Sequence, residues 1–573
     1  MSRINVVELV DRSKLHPIQI IVLVLCGLCM IIDGFDVQAM AYVAPALLNE
    51  WNVAKPALGP VFSAGLAGVM LGSLVFSIVA DKIGRRPVLI GAMLFLALSV
   101  FATAHASSLK AMLLLRLISG LAMGAIIPNA MALSGEFSPL RYRVTLMMIV
   151  SSGFIIGGAV GGFIAATLIP AFGWQTVFYA GAVAPLVAGV VLILAMPESV
   201  QLQVARGRNL DQVRDLLVRI APQAGIGPET VFATTDRPRG GMPVANLFRD
   251  GLAAGTSLLW IANFMNLLCI FFLANWLPVV MNEAGHSAQE AVLAATMMWV
   301  GGFIGNLLLG WLVDRHGFGP VLSSTFALAA LVIATIGQVA GSLTLVFIVI
   351  GIAGFCIGGA QSGLNALSPT YYPVSVRSTG TGWASGIGRL GSVVGPILGG
   401  LLISLQCSTA QLFQAAAVPA AIAVVVMLTF WSIAPLAVAR RLGANHAIDV
   451  STQASSLDPW RAGKGVFDVL FEASGNQAAL RLAFDLLRPG AAIVQLGLGG
   501  EMTLPVNSVV TKELQLRGTF RFDPEFELAL RLMGESRLDV KPLISASLPF
   551  DQAVEAFELA SDRSRSMKVQ LTF

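Results

Sequence analysis

The stretch IQIIVLVLCGLCMIIDGFDVQAMAYV, residues Ile18–Val43, carries two aspartates in an otherwise uncharged apolar run. A helix of this length, rising about 1.5 Å per residue, crosses the roughly 30 Å hydrocarbon core of a bilayer. Asp33 and Asp36 lie one helical turn apart near its middle. Because charge at that depth is costly, the pair indicates a functional site that moves protons, ions or charged solutes.

The composition divides the chain into a membrane part and a soluble part. Of 573 residues, 56% are hydrophobic and 12% are charged, against about 25% charged in soluble domains. Residues 1–433 hold the long apolar runs, and residues 434–573 read as soluble protein. The net charge is only +4, and we expect no nucleic-acid partner. All five cysteines fall in apolar segments, so we expect packing thiols and no metal or cofactor site.

Twelve apolar runs are long enough to span a bilayer. They lie at 18–43, 57–80, 87–105, 109–132, 144–169, 174–196, 255–281, 290–313, 319–340, 343–368, 378–404 and 409–433. Basic residues alternate between the connecting segments, and one set of loops offers only Lys55 and Lys110. By the positive-inside rule, the N-terminus (1–16), the linker (197–254) and the tail (434–573) are predicted to be cytoplasmic, as in a multi-pass protein of the bacterial inner membrane.

An internal repeat relates the first six runs to the last six. Asp81, Lys82 and Gly84 recur 233 residues later as Asp314, Arg315 and Gly317. At an interval of 234, a second set recurs, which pairs Gly120, Gly124, Pro139, Arg143, Gly157 and Gly161 with Gly354, Gly358, Pro373, Arg377, Gly391 and Gly395. The repeat predicts two parallel six-helix bundles, 17–196 and 255–433, in an all-α membrane protein. This is the twelve-helix architecture of major facilitator transporters, with a central site between the halves.

The loop SIVADKIGRR, residues 77–86, resembles the loop signature of that superfamily, although Ser77 stands where the family usually has glycine. The resemblance implies that the aspartate anchors a neighbouring helix and that the arginines hold a cytoplasmic gate. The second copy lacks the paired basic residues, since Phe318 and Gly319 follow Gly317. The residues predicted to form the gate are Asp81, Arg85, Arg86, Glu136, Arg143, Asp314, Arg315 and Arg377.

Two arginines lie inside predicted spans. Arg116 either snorkels to the outer interface or joins a proton-coupling network with an aspartate of the first span. Arg389 lies deeper, between Gly386 and Gly391, and its guanidinium suits a substrate carboxylate. Four amides at helical spacing either line a cavity as substrate contacts or act as interhelical hydrogen-bonding groups: Asn263, Asn266, Gln361 and Asn365.

The motif Asp33-Gly34-Phe35-Asp36, with the 77–86 loop and the stretch Gly135–Pro139, resembles the aromatic acid:proton symporters of the major facilitator superfamily. The resemblance covers about residues 1–433. It implies that Asp33 and Asp36 are the leading functional residues and that the partners are protons and a small aromatic carboxylate, handled by a monomer. Other organic anions, sugars and a sensor role remain alternatives.

The tail resembles the later part of medium-chain, zinc-type dehydrogenases of the polyol or idonate group, through residues 436–444 and 467–475. A short strand at 447–450, a strand at 467–472, a helix at 476–487, a turn at 488–490 and a strand at 491–496 predict a truncated Rossmann-like fragment. The dinucleotide fingerprint and the zinc-binding domain of that family are missing. We therefore expect no enzyme activity; a bifunctional transporter–dehydrogenase is the alternative.

Overall fold

A computed structural model describes residues 3–11, 13–222, 226–227, 230–233, 244–248, 252–372, 376–441, 444–446, 448, 450, 454–497, 503–518, 525–535, 544–549, 552–553, 556, 560 and 568–572. The chain divides into two compact units, Met1–Trp431 and Ser432–Phe573. The boundary lies two residues before the predicted change from membrane to soluble sequence.

The first unit is helical apart from two short strands. Its elements in chain order are β1 (Arg3–Asn5), α1 (Val6–Asp11), α2 (Pro17–Trp51), α3 (Leu58–Ile83), α4 (Arg85–Ala104), α5 (Leu109–Phe137), α6 (Arg143–Phe172), α7 (Gln175–Ala195), α8 (Val200–Arg206), α9 (Leu210–Ile220), β2 (Val231–Ala233), α10 (Ala253–Glu283), α11 (Ala288–His316), α12 (Phe318–Thr335), α13 (Leu343–Tyr371), α14 (Arg377–Ser404) and α15 (Thr409–Arg441).

Twelve of these helices, α2–α7 and α10–α15, are long and apolar enough to cross a membrane, which confirms the number of predicted spans. Most ends lie within a few residues of the prediction. Helix α12 ends at Thr335 rather than at 340, because turns follow it, and α2 continues eight residues beyond 43 to Trp51. The orientation of the termini stays a prediction.

The packing follows the internal repeat. The pair α2–α6 corresponds to α10–α14, and α3–α5 corresponds to α11–α13. Gly157 lies against the carbonyl oxygen of Ile31, and its repeat partner Gly391 lies against that of Phe264, 233 residues after Ile31. Likewise, the repeat partners Gly120 and Gly354 each approach a carbonyl oxygen of the adjacent helix. The repeat therefore conserves small residues where backbones touch, and side chains there would separate the helices.

The N-terminus and the described part of the linker carry structure that the sequence analysis did not foresee. Strand β1 pairs in parallel with β2 of the linker, from Arg3↔Val231 to Asn5↔Ala233. Helix α1 buries Val6 and Val10, and α9 buries Val213, Leu217 and Ile220 in the same apolar core. Residues 197–254, predicted only as a linker, thus include helices α8 and α9 as well as β2.

The second unit contains helices α16 (Asp458–Arg461), α17 (Gln477–Leu486), α18 (Val506–Thr511) and α19 (Glu525–Gly534), and strands β3 (Phe467–Glu472), β4 (Leu487–Gln495), β5 (Gln515–Gly518), β6 (Ile544–Pro549) and β7 (Lys568–Thr572). Strands β3, β4 and β5 form one parallel sheet in that order, and β6 pairs in parallel with β7. The predicted strand at 467–472 and helix at 476–487 are confirmed.

Two details of the tail differ from the prediction. The expected turn at 488–490 lies within β4, where the pairing with β3 is irregular: Leu487 pairs with Phe467, and the next pair joins Ala492 to Val469. Gly490 has a φ of 80°, so the chain bulges here and the strand resumes. The prediction of a short strand at 447–450 is wrong for the positions that the structure describes, because Val450 lies in a turn. Positions 447 and 449 fall outside the described residues.

Substitution of Gly34 by alanine is expected to destabilise the protein, because its Cβ would clash with the carbonyl oxygen of Phe154 in α6. Overpacking of this kind costs about 1–3 kcal/mol. Gly27→Ala, in the same helix, is the matched control, since a Cβ there meets nothing within 4 Å. Thermal unfolding in detergent, followed by circular dichroism, should show a lower midpoint for Gly34→Ala alone. Equal midpoints would contradict the packing described for α2 and α6.

Candidate functional site

Asp36 and Arg116 form an ion pair inside the first bundle. Both are buried, and Arg116 Nη1 donates to Asp36 Oδ2 at 3.1 Å. Arg116 Nη2 also donates to the backbone oxygen of Asp36 at 2.9 Å. The guanidinium thus binds one residue twice, which fixes α2 against α5. The structure supports the predicted pairing with the first span and excludes snorkelling, because Arg116 is only 3% exposed.

Asp33 has a different environment, one turn away in the same helix. Its side chain is fully buried, and neither carboxylate oxygen has a hydrogen-bond partner among the described residues. The charges that act on it are those of Arg389, in α14 of the second bundle, and of Asp36. The two aspartates therefore differ: Asp36 is paired with an arginine of its own half, and Asp33 is under the electrostatic influence of an arginine in the other half.

The four predicted amides form one chain of hydrogen bonds between α10 and α13. Asn266 Nδ2 donates to Gln361 Oε1 at 2.9 Å and to the carbonyl oxygen of Ile357 at 3.1 Å. Gln361 Nε2 donates to Asn365 Oδ1 at 3.1 Å and to Asn263 Oδ1 at 3.3 Å. Asn365 is exposed and Asn266 is buried, so the chain leads from an accessible surface into the bundle.

The predicted gate residues of the first bundle form a network at the predicted cytoplasmic end. Arg85 pairs with Glu136, whose other carboxylate oxygen accepts from Ser199 Oγ at 2.5 Å. Asp81 is exposed and acts electrostatically on Arg85. The carboxylate that caps a helix here is that of Glu198, which accepts from the backbone N–H groups of Arg85 and Arg86 at 3.0 and 3.1 Å. Glu198 therefore caps α4, a role that the sequence analysis did not predict.

The remaining gate residues are not brought together with that network. Arg143 pairs with Asp11 of α1, not with Glu136. Arg315 is exposed and lies over the ring of Trp311, 5.6 Å from its centroid. Arg377 Nε donates to the carbonyl oxygen of Tyr372 at 3.4 Å. The side chain of Asp314 falls outside what the structure describes. The gating role of these residues stays a prediction.

No group of three or more histidine, cysteine, aspartate or glutamate side chains that could hold a metal ion occurs among the described residues. The five cysteines are free thiols, four of them buried. The chemistry available at the centre of the first unit is therefore that of two carboxylates, two guanidinium groups and a chain of amides.

The family model described as "Major Facilitator Superfamily" matches residues 26–255 and 259–506. The chain belongs to the major facilitator superfamily.

Similar curated proteins of this superfamily include the 4-hydroxybenzoate transporter PcaK of Pseudomonas aeruginosa, 35% identical over 429 residues, which covers 75% of this chain and 96% of PcaK. The gallate transporter of Pseudomonas putida is 35% identical over 74% of this chain and 94% of its own length. The benzoate transport protein of Acinetobacter baylyi is 32% identical over 74% and 92%. These relatives are transporters and not enzymes, and the likeness of residues 434–573 to dehydrogenases gains no support from them.

Two solved structures share the fold. One is a bacterial homologue of the human lysosomal transporter Spinster in an inward-facing, unoccupied conformation, with a TM-score of 0.56 over 74% of this chain and 98% of that chain. The other is the partially occluded, inward-open xylose transporter XylE from E. coli, with a TM-score of 0.55 over 72% and 97%. Both are 15% identical to this chain.

The two halves of this facilitator contact each other at the predicted outer end. Ser63 Oγ of α3 donates to the carbonyl oxygen of Val393 in α14 at 2.7 Å. Lys55, just before α3, forms an ion pair of 2.5 Å with Glu283 at the end of α10. Deeper in the interface, Gln38 Nε2 donates to the carbonyl oxygen of Ala274 at 2.6 Å. These contacts hold the first bundle against the second.

The opposite end of the α3–α14 face is open. Gly386 and Gly382 continue the face of α14 that carries Arg389 and Val393, at intervals of three and four residues. Both glycines are exposed, and a Cβ at either would meet nothing within 4 Å. Leu74, toward the same end of α3, is 63% exposed. The site around Arg389 is therefore open towards the end predicted to be cytoplasmic and closed at the other.

Several functional residues were missed because their sequence neighbourhoods carry no distinctive pattern. Glu198 and Ser199 follow a proline at the end of the sixth span, and Asp11 lies in a six-residue helix. Lys55 and Glu283 lie in two connecting segments of the predicted outer side, one in each half. Their placement in the two halves of the repeat at the same side was the one signal that could have paired them.

The outer contact is testable by cross-linking. A Lys55→Cys, Glu283→Cys pair in a background without the five native cysteines should be joined by a short, reducible bis-methanethiosulfonate cross-linker, which bridges a gap like the one that the two parent side chains span in their ion pair. The link should hold the outer end closed and stop transport, and reduction should restore it. Either single variant is the control and should keep its activity after the same treatment. Failure to cross-link, seen by mobility after proteolysis of the linker, would contradict the contact.

Proposed function

We propose that the chain imports aromatic carboxylates together with protons by alternating access. The observation that carries the proposal is the placement of Asp33: a buried carboxylate without hydrogen-bond donors, at the boundary between the halves, facing Arg389. A carboxylate in such surroundings is costly as an anion, and a bound proton removes its charge. Asp33 is thus the proton carrier of the cycle.

Arg389 couples that proton to the substrate. When Asp33 is protonated, the guanidinium loses its anionic partner and can bind a substrate carboxylate through two parallel hydrogen bonds. When Asp33 releases its proton, the restored carboxylate competes for Arg389 and displaces the substrate. Asp36 has a different role, because Arg116 already neutralises its charge. We assign Asp36 to holding α2 and α5 together, so that Asp33 and Arg389 keep the geometry needed to exchange proton and substrate.

The membrane potential explains why the cargo needs a proton. Moving one negative charge into a cell against an interior-negative potential costs about 2.3 kcal/mol per 100 mV. One accompanying proton cancels that cost, and a second proton would make uptake electrically driven. The closed outer end and the open opposite end support a carrier captured facing the cytoplasm, with the gate network of Arg85 and Glu136 at that end.

The relatives support an aromatic cargo. Those named above carry 4-hydroxybenzoate, gallate and benzoate, each of which joins a benzene ring to a carboxylate.

Asp33→Asn and Asp36→Asn are both expected to abolish proton-driven uptake and to leave membrane insertion intact. Asparagine cannot carry the proton at position 33, and at position 36 it leaves Arg116 without its anion. Asp33→Asn, which resembles the protonated residue, should still exchange labelled for unlabelled substrate. The measurement is uptake of radiolabelled 4-hydroxybenzoate by proteoliposomes with and without an inward proton gradient.

Asp211→Asn is the control for these variants, since that carboxylate is 92% exposed in the linker and should be dispensable. Full gradient-driven uptake by both Asp33→Asn and Asp36→Asn would contradict the proposal. A panel that adds glucose and cis,cis-muconate tests the substrate class in the same assay. Uptake of these in place of aromatic acids would support the sugar or organic-anion alternatives instead.

Arg389→Lys is expected to raise the KM for 4-hydroxybenzoate by about 10- to 100-fold, because lysine keeps the charge and loses one charge-assisted hydrogen bond, roughly 1.5–3 kcal/mol. Arg389→Leu should abolish uptake. Arg219→Lys, at an exposed arginine of α9 in the linker, is the matched control. An unchanged KM in Arg389→Lys would exclude a two-pronged contact with the carboxylate.

A further inference from the structure

Asn266 occupies in the second bundle the place that Asp33 occupies in the first. The interval between them is 233 residues, the same that relates Ile31 to Phe264 in the glycine contacts described above. Both side chains are buried, and each carries an oxygen without a hydrogen-bond partner among the described residues: both carboxylate oxygens of Asp33, and Oδ1 of Asn266. The repeat thus sets two unpartnered oxygens at equivalent positions of helices α2 and α10, which contact each other.

The amide chain leaves Asn266 as an acceptor. Its Nδ2 group is engaged by Gln361 Oε1 and by the carbonyl oxygen of Ile357, and the Nε2 group of Gln361 is engaged by Asn263 and Asn365. No group of the amide chain donates a hydrogen bond to Oδ1 of Asn266. A buried amide oxygen without a donor is unfavourable, so a ligand that brings an O–H group gains from supplying it.

Arg389 lies next to a residue that contacts the amide chain. Gly388, next to Arg389 in α14, lies against Asn263 of α10, so the guanidinium and the amide chain belong to neighbouring turns of packed helices. A carboxylate carries no donor and belongs to Arg389. A hydroxyl on the opposite part of the ring is a donor and belongs to Asn266. The two ends of a hydroxylated aromatic acid thus meet different partners in one site.

We propose that Oδ1 of Asn266 accepts the hydrogen bond of a ring hydroxyl, which makes this chain selective for hydroxylated aromatic carboxylates over benzoate. The inference rests on the proposed function, since it concerns the same transport site. A site built to bind a hydroxyl discriminates against the analogue without it, because the buried acceptor is then left unpartnered. We expect a preference of about tenfold or more in kcat/KM for 4-hydroxybenzoate over benzoate.

The test compares uptake of the two acids in proteoliposomes under an inward proton gradient. Asn266→Leu should reduce the preference for 4-hydroxybenzoate about tenfold and leave benzoate uptake in place. Asn129→Leu is the matched control: this buried amide of α5 bonds to Ala125 of its own helix and should leave the preference unchanged. Because the readout is a ratio within one preparation, a lower yield of folded protein does not affect it.

The unmodified protein gives a second test that needs no variant. 4-Methoxybenzoate has an oxygen at the same position and no proton to donate, so it should compete with 4-hydroxybenzoate no better than benzoate does. Equal competition by all three acids, or an unchanged ratio in Asn266→Leu, would overturn the inference and leave aromatic-acid transport standing. If no aromatic acid is imported, the proposed function itself fails.

Discussion

The cost of placing charge in a hydrocarbon interior governs the whole of this transporter. Each buried charge near its centre has an assigned counter-charge, and the assignments differ in kind. Arg116 holds Asp36 by two hydrogen bonds within one bundle, and removing one partner of a buried pair of this sort costs roughly 3–5 kcal/mol. Asp33 and Arg389 interact across the boundary between bundles, where movement of the bundles changes their environment. The Arg116–Asp36 pair holds two helices of the first bundle together, and the interaction of Asp33 with Arg389 can change when a proton or a substrate binds.

Close backbone packing keeps these charges in position. Glycines at equivalent points of the two repeats bring α6 onto α2 and α14 onto α10, so the helix that carries Asp33 packs closely on α6, and the helices that carry Asn266 and Arg389 pack closely on each other. In a bilayer, where apolar side chains gain little by leaving lipid, such contacts supply much of the association energy. Within each bundle, these contacts leave no room for side chains between the paired backbones.

Three kinds of feature could be predicted from the sequence: those set by hydrophobic run length, by the internal repeat, and by the cost of burying charge. Twelve runs of sufficient length gave twelve helices, the internal repeat predicted two bundles of six, and the depth of Arg116 suggested the contact with an aspartate of the first span that the structure shows with Asp36. Contacts that depend on tertiary placement of single charges could not be predicted. Glu198 caps α4 from a position 113 residues after Arg85, and Asp11 captures Arg143 from a short helix whose six residues show no decisive pattern. In the tail, the glycine of the Arg488–Gly490 stretch marked a turn, and the chain instead bulges and continues as the same strand.

The pairing of β1 with β2 also has a consequence for how the protein is made. Residues 3–5 leave the ribosome first, and their partners, 231–233, emerge only after all six helices of the first bundle have been synthesised. The second bundle begins at Ala253, some twenty residues later. The small parallel ladder can therefore close only after the first half has been synthesised. Its formation ties the N-terminal residues to the linker across a complete first bundle.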